Sequence, residues 1–360
     1  NIKMPEYYIG IMCGTSLDSL DMSLCSFGKN NSIKLFKSYK INKTLRDAIN
    51  ACKEKPKHGG LFYKANKEVT DFIIRSLKKF IILSKVRKIE AIGYPGITII
   101  HNPARKISKT LGDPSIIAKQ CGIKVVADFR LTDMKNGGQG APLTPYFHEY
   151  ISLKENKNIN FINLGGFANL TYFSKNRVMA YDTGPANYLI DMISKTYFQK
   201  EYDKNGSLAK NGVVNNKALL SMLSDKYFYK KPPKSTGFEK FNAKWLKKFI
   251  TKFRLNKNSL ISTVSQLTSV SISDSINSSC LDSPNIFFAG GGSRNLFIKK
   301  EILKRTGLTE VKKLPWGLNY KNLESAAFAW FAMKRDMGNV ISKGHITGAR
   351  GSRKLGTIYR

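Results

Sequence analysis

Tyr7-Tyr8-Ile9-Gly10-Ile11-Met12-Cys13-Gly14-Thr15-Ser16-Leu17-Asp18 reads as a buried strand running into a turn of glycine, hydroxyls and a carboxylate. Leu20 to Phe27 alternates weakly and reads as the return strand of a hairpin. The turn from Gly14 to Asp18 suits phosphate. Glycine lets the backbone approach closely, successive amides form an anion nest, and hydroxyls donate to phosphate oxygens. Asp18 and Asp21 would hold Mg²⁺, directly or through water. The same residues also suit a tight hairpin in which aspartate supplies turn hydrogen bonds.

The pattern recurs. Asn160 to Leu164 reads as a strand ending in Gly165-Gly166, with Asn169 to Phe173 as its hairpin partner. Two such turns facing one another would clamp a triphosphate from both sides. A third glycine cluster, Gly290-Gly291-Gly292-Ser293-Arg294-Asn295, follows the strand Asn285 to Ala289 and precedes a helix. Glycines there admit a flat base, and a helix N-terminus favours negative charge. Any one cluster also reads as an ordinary turn. Three in order, each after a strand, favour a nucleotide, although none is a Walker loop or a G-x-G-x-x-G dinucleotide turn.

Other elements frame the candidate chemistry. Helices are expected over Phe62 to Leu83, from Asp113-Pro114 through Ala118, and over Asn187 to Tyr197, Leu260 to Ile276 and Leu323 to Met333. Strands are expected over Ile89 to Gly93, Lys124 to Ala127 and Val178 to Tyr181. Asn136 to Leu143, Tyr202 to Gly212 and Lys230 to Phe241 read as loops. Asp182 ends a strand before Thr183-Gly184-Pro185, a place for a general base or for an Asx-turn. Glu324 enters the last apolar helix, as a second carboxylate near substrate or as a first-turn residue favoured by the helix dipole. Arg130 would clamp a substrate carboxylate or make an ion pair at a domain joint. His101 and His148 have no partner at any recognisable spacing.

Composition bounds the class. The chain has 360 residues, 42 % of them hydrophobic, which fits two domains or one bilobed unit. No apolar run reaches a membrane span, and no secretory pattern is read at the start. The five cysteines are scattered and the four histidines add no zinc spacing, which fits a reducing cytoplasm. The net charge of +35 is spread along the chain without a reading module, so it fits a lysine-rich composition better than nucleic-acid binding.

The ordered motifs resemble one family. Besides the turns above, they include Gly112-Asp113-Pro114, Val126-Ala127-Asp128-Phe129-Arg130, Gly137-Gly138-Gln139-Gly140-Ala141-Pro142-Leu143 and Asp182-Thr183-Gly184-Pro185. Pro232-Pro233-Lys234-Ser235-Thr236-Gly237 and Thr347-Gly348-Ala349-Arg350-Gly351 complete the set. Nearly end to end, the chain resembles the anhydro-N-acetylmuramic acid kinases, of the acetate and sugar kinase, heat-shock-70 and actin superfamily.

The resemblance implies an α/β fold of two actin-like, ribonuclease-H-like domains with a nucleotide cleft between them. The expected division is 1–130 with 340–360, and 131–339. It implies an ATP-dependent kinase that opens 1,6-anhydro-N-acetylmuramic acid with water and phosphorylates it to the 6-phosphate, in cell-wall recycling. Asp182 matches the base, with Glu324 as the second carboxylate. ATP would contact Gly14, Thr15, Ser16, Leu17, Asp18, Asp21, Gly165, Gly166, Asn169, Gly290, Gly291, Gly292 and Asn295. Mg²⁺ would sit at Asp18, and the sugar at Thr98, Arg130 and Gly184.

The expected partners are ATP and the anhydro-amino sugar, without nucleic acid or membrane, and a homodimer is allowed. Tyr94-Pro95-Gly96-Ile97-Thr98 departs from the family's usual His-Gly-Gln-Thr, with Pro95 and Ile97 in place of the His and Gln. Ser19 stands for a common Gly and Phe238 for a common Arg. These departures leave open a non-catalytic descendant that binds nucleotide or sugar as an interaction protein.

Overall fold

Strand β1 (Tyr7–Cys13) buries Ile9 and Ile11 on one face and Tyr8 and Gly10 on the other, as the two-residue period of a doubly covered strand requires. The computed structural model describes residues 5–175, 177–232, 234–341, 344–351 and 353–360. Pro233, part of the motif quoted above, lies outside them. Contacts divide the chain into unit one, Asn1–Phe147 with Leu314–Arg360, and unit two, His148–Lys313.

In unit one, β1 pairs antiparallel with β2 (Ser19–Ser26), and β2 pairs antiparallel with β3 (Ser32–Lys40). On its other side β1 runs parallel to β4 (Ala91–Gly93). A separate hairpin, β5 (Ile97–Asn102) with β6 (Ile107–Leu111), intervenes before β7 (Val125–Ala127), which lies parallel to β4. The C-terminal strand Thr357–Tyr359 pairs antiparallel with β7, so the tail returns to the first unit as expected. Helix Pro114–Cys121 starts at the expected cap, where Asp113 Oδ1 accepts the Ser115 and Ile116 amides at 2.9 and 3.1 Å.

The opposite face of the sheet is covered by helix Leu323–Asp336, whose residues Leu323 and Ser325 to Met333 are buried. It approaches so closely that a Cβ on Gly10 would lie 1.7 Å from Ser325 O. This packing changes the expected domain division. Residues 131–147 and 314–339 belong to unit one, because the helix is the second cover of the β1 sheet. The 137–143 loop is tied to the same unit: Gln139 N–H donates to Thr347 O at 2.8 Å, and Thr347 Oγ1 donates to Asp133 Oδ1 at 2.8 Å.

Unit two repeats the plan. β8 (Asn160–Leu164), β9 (Phe167–Ser174) and β10 (Arg177–Pro185) form an antiparallel meander. β8 then runs parallel to β11 (Asn285–Ala289), and β11 parallel to β12 (Thr309–Glu310). The strand orders β3-β2-β1-β4-β7 and β10-β9-β8-β11-β12 match, with the same directions. This duplicated ribonuclease-H-like sheet is the α/β actin-like architecture expected from the sequence. The Ser/Thr-rich helix Lys257–Asn277 is buried along most of its length. Several of its hydroxyls are satisfied inward: Thr263 and Ser273 bond the carbonyls four residues back at 2.6 and 2.8 Å, and Thr268 bonds Pro185 O at 3.0 Å, while Ser265 Oγ is buried with no hydrogen-bond partner among the described residues. Among the described residues no helix is long and apolar enough to cross a membrane.

Candidate functional site

In unit one the turn between β1 and β2 leaves Gly14, Thr15 and Ser16 exposed while Leu17 is buried. Leu17 has φ 56°, and its N–H donates to Gly14 O at 3.1 Å. A leucine holds this left-handed backbone because its side chain is fixed in the core. Leu17 therefore sets the shape of the turn, and the exposed hydroxyls belong to its neighbours. A Cβ on Gly14 would meet nothing nearer than Ser16 Oγ at 3.9 Å, so the backbone is open to a ligand.

The Asp18 side chain is 69 % exposed and stands 3.8 Å from Arg46. Asp21 accepts a hydrogen bond from Ser19 Oγ at 2.9 Å. Among the described residues no group of three or more His, Cys, Asp or Glu side chains could hold a metal ion. One open carboxylate beside hydroxyls nevertheless fits Mg²⁺, which keeps waters and takes only one or two carboxylates when phosphates complete its shell.

In unit two the second and third glycine clusters come together. The Gly165 and Gly166 carbonyls accept the first amides of helix Asn187–Phe198, at 3.1 Å from Asn187 and 3.0 Å from Tyr188. Asn187 Nδ2 donates to Leu164 O and Gly165 O at 2.8 and 2.9 Å. Gly290, at φ +77°, would place a Cβ 2.4 Å from Asn163 Oδ1, and Gly292 would place one 2.6 Å from Asn187 Nδ2. Within the third cluster, a Cβ on Gly291 would meet nothing within 4 Å. Asn169 stands opposite Asn163 and Asp182 in the β9 register. Asn295 is buried and caps helix Leu296–Thr306 by accepting the Ile298 amide at 3.2 Å, so its carbonyl oxygen is spent on the fold.

Asp182 lies where β10 breaks register with β9, between Asp182 and Gly184. Thr236 N–H donates to Asp182 Oδ2 at 3.0 Å, and Tyr227 Oη donates to Asp182 O at 2.6 Å. Burial pushes the Asp182 carboxyl up to about 6. The Thr236 amide opposes that rise, and the nearby Glu239 charge adds to it. Gly184 is buried, with φ +151°, and a Cβ there would meet the Phe228 ring at 2.9 Å. It shapes the strand end beneath Phe228. Sequence spacing had no signal for Lys234, Thr236 or Tyr227 as neighbours of Asp182, although Lys234 and Thr236 stand in a motif already singled out.

Arg130, Glu324 and His101 form a cluster within unit one. Arg130 Nη1 donates to Gly140 O at 2.9 Å. Burial lowers the guanidinium pKa, while the Glu324 and Asp133 charges act against that. His101 Nε2 lies 3.0 Å from Gln139 O, an arrangement that makes Nε2 the protonated nitrogen. Burial, then the Arg130 charge, hold His101 down to about 4, so it is neutral at pH 7. Its Nδ1 is buried with no hydrogen-bond partner among the described residues. His148, by contrast, stacks on Phe161 at 3.9 Å and contacts Thr171 Oγ1 at 3.2 Å, a core histidine.

Thr98 is half-buried on β5, opposite Thr110. The departures beside it are core residues. Tyr94, Pro95 and Ile97 are buried, and Tyr94 Oη donates to Leu111 O at 2.7 Å. A proline and an isoleucine at these positions pack the junction of β4 with the β5–β6 hairpin.

Comparison with known proteins agrees with these features. The family model described as anhydro-N-acetylmuramic acid kinase matches residues 6–360. The Sulfurimonas denitrificans protein of that name is 35 % identical, covering 99 % of this chain and 100 % of its own length. Its namesake from a Sulfurovum species is 37 % identical over 98 % and 99 %. The Coxiella burnetii protein of the same name is 34 % identical over 98 % and 97 %. With a matching model over nearly its whole length and full-length relatives above 30 % identity, the chain belongs to the anhydro-N-acetylmuramic acid kinase family.

Proposed function

We propose that this protein is an ATP-dependent sugar kinase that hydrolytically opens 1,6-anhydro-N-acetylmuramic acid and yields N-acetylmuramic acid 6-phosphate, in cell-wall recycling. The observation that carries this reading is Asp182: a carboxylate raised to about 6 and oriented by the Thr236 amide. A base poised near the working pH is what water activation needs. Asp182 would take a proton from water as its oxygen bonds the anomeric carbon. The bond from that carbon to O6 breaks, and O6 bonds the γ-phosphorus of ATP as the bond from that phosphorus to the β–γ bridging oxygen breaks and ADP leaves.

Bound ATP supplies that phosphoryl group, with Mg²⁺ neutralising charge on its phosphates. The exposed Thr15 and Ser16 hydroxyls, the open backbone at Gly14 and the Gly165-Gly166 and Gly290 to Gly292 cluster would bind and orient the nucleotide, because phosphoryl transfer is mostly positioning. Asp18 would hold the metal. Arg130, steered by Glu324 and Asp133, and the open Nδ1 of His101 would bind the sugar. The five cysteines are free thiols, which supports the cytoplasm as its place of action. Because Pro95 and Ile97 are buried packing residues, they give no support to a non-catalytic descendant.

The test is incubation with ATP and the anhydro-sugar in ¹⁸O water. The expected result is stoichiometric ADP and 6-phosphate, with label at the anomeric oxygen when read before solvent exchange. No ADP release at high enzyme, or product without label, would overturn the reading.

A further inference from the structure

Residues 234–236 fold back onto the end of β10 and touch Asp182 twice. Asp182 N–H donates to Lys234 O at 3.1 Å, and Thr236 N–H donates to Asp182 Oδ2 at 3.0 Å. Lys234 itself is drawn inward. Its Nζ lies 5.6 Å from the centroid of the Tyr181 ring and 5.0 Å from that of Tyr227, and 3.4 Å from Phe228 O. Both rings belong to residues that fix Asp182: Tyr181 precedes it in the strand, and Tyr227 Oη binds its carbonyl. An ordinary loop lysine keeps its head in water. This one is held by two aromatic faces and by backbone carbonyls.

We propose that Lys234 is a positioning residue for Asp182: its ammonium, seated on Tyr181 and Tyr227, anchors the 234–236 segment so that the Thr236 amide orients the Asp182 carboxylate. A second observation joins this one. Thr236 Oγ1 is buried with no hydrogen-bond partner among the described residues, so the same segment holds a hydroxyl for water or sugar beside the carboxylate. The turn beyond it closes on the Gly237 carbonyl, which accepts the Lys240 and Phe241 amides, each at 3.1 Å.

Among the described residues, the ionisable groups around Asp182 come from its own strand and from the segments that pack on it. Tyr181 is on its own strand, Tyr227 comes from the segment after helix Asn216–Leu223, and Lys234 and Glu239 come from the loop. Asp225 and Lys240 pair with each other at 2.8 Å. The anchored segment both covers Asp182 and donates to it. Cover raises the carboxyl pKa and the amide lowers it, and burial is the larger influence. Releasing the segment therefore lets the pKa fall toward that of an ordinary aspartate.

This inference rests on Asp182 being the base, and its test separates the two. Protein labelled with ¹³C at aspartate carboxyls is titrated by NMR, and the resonance missing in Asp182→Asn assigns Asp182. Lys234→Met is expected to lower the midpoint by about one pH unit. It is expected to reduce kcat about tenfold with KM for ATP unchanged. Lys234→Arg, which keeps a cation on the two rings, is expected to restore both. If the methionine variant does not fold, Lys234→Gln takes its place. An unchanged midpoint overturns the anchor, and a raised one does too, since it means Lys234 acts through its charge alone. A lowered midpoint in a protein whose Asp182→Asn variant turns over normally keeps the anchor and removes the base.

Discussion

Asp182→Asn is expected to reduce turnover about 10³- to 10⁴-fold while ATP affinity stays unchanged. Asparagine is nearly isosteric and its carbonyl oxygen can still accept the Thr236 amide, so the local fold survives and only the proton acceptor is lost. Single-turnover product formation and nucleotide titration check the two halves separately. In the unaltered protein kcat is expected to fall below about pH 6, as the carboxylate is protonated. Normal turnover in the variant would remove Asp182 from the chemistry.

The same substitution is expected to stabilise the protein. Asp182 titrates near 6 when folded, above its ordinary 3.8. Below the unfolded value both states hold the proton and no penalty exists. As pH rises from about 4 to 6 the unfolded chain ionises first, so stability falls across that window and stays low above it. A shift of this size corresponds to about 3 kcal/mol, an order-of-magnitude figure. The asparagine variant should therefore melt higher than the parent at pH 8 and match it near pH 4. A variant that is inactive and more stable above pH 6 is the signature of a carboxylate held in place for chemistry rather than for the fold.

The parts of this picture that sequence carries are those written in contiguous residues. The turns after β1 and β8 each consist of a strand, glycine and a hairpin partner, and both were found where expected. The apolar helix Leu323–Asp336 and the Asp113 cap are also local. Long-range packing is different. Nothing in the spacing assigns Leu323–Asp336 to the first unit, because the reason is the missing side chains at Gly10 and Gly93 some 300 and 230 residues earlier.

Other features were hidden for similar reasons. β3, at a sheet edge, carries Lys34, Lys37 and Lys40, which break the two-residue alternation of its half-buried residues, so it gives no strong strand signal. Helices Lys43–Glu54 and Ala243–Phe253 lie in lysine-rich stretches that composition alone reads as solvated. The Thr236 contact spans 54 positions and the His101 contact 38, distances over which a single sequence holds no pairing information.

Gly10→Ala is expected to be the most destabilising single-methyl change in unit one, costing about 3 kcal/mol or more. The added Cβ would lie 1.7 Å from Ser325 O and 2.4 Å from Ala329 N, both backbone atoms of the covering helix. No rotamer change can relieve that contact. The helix must move off the central strand, and with it goes the Ser23–Ser325 hydroxyl pair at 2.7 Å and the neighbouring Gly93 contact, where a Cβ would meet Phe328 O at 1.9 Å. Gly59→Ala is the matched comparison. Gly59 begins helix Gly59–Ser84, and a Cβ there meets nothing within 4 Å. That change should be neutral or stabilise by up to about 1 kcal/mol, since alanine loses less backbone entropy in a helix. Thermal and urea unfolding of the two variants beside the parent decides the matter. Equal midpoints for Gly10→Ala and the parent would mean that the helix does not sit on β1 as described, and the assignment of residues 314–339 to unit one would fall with it.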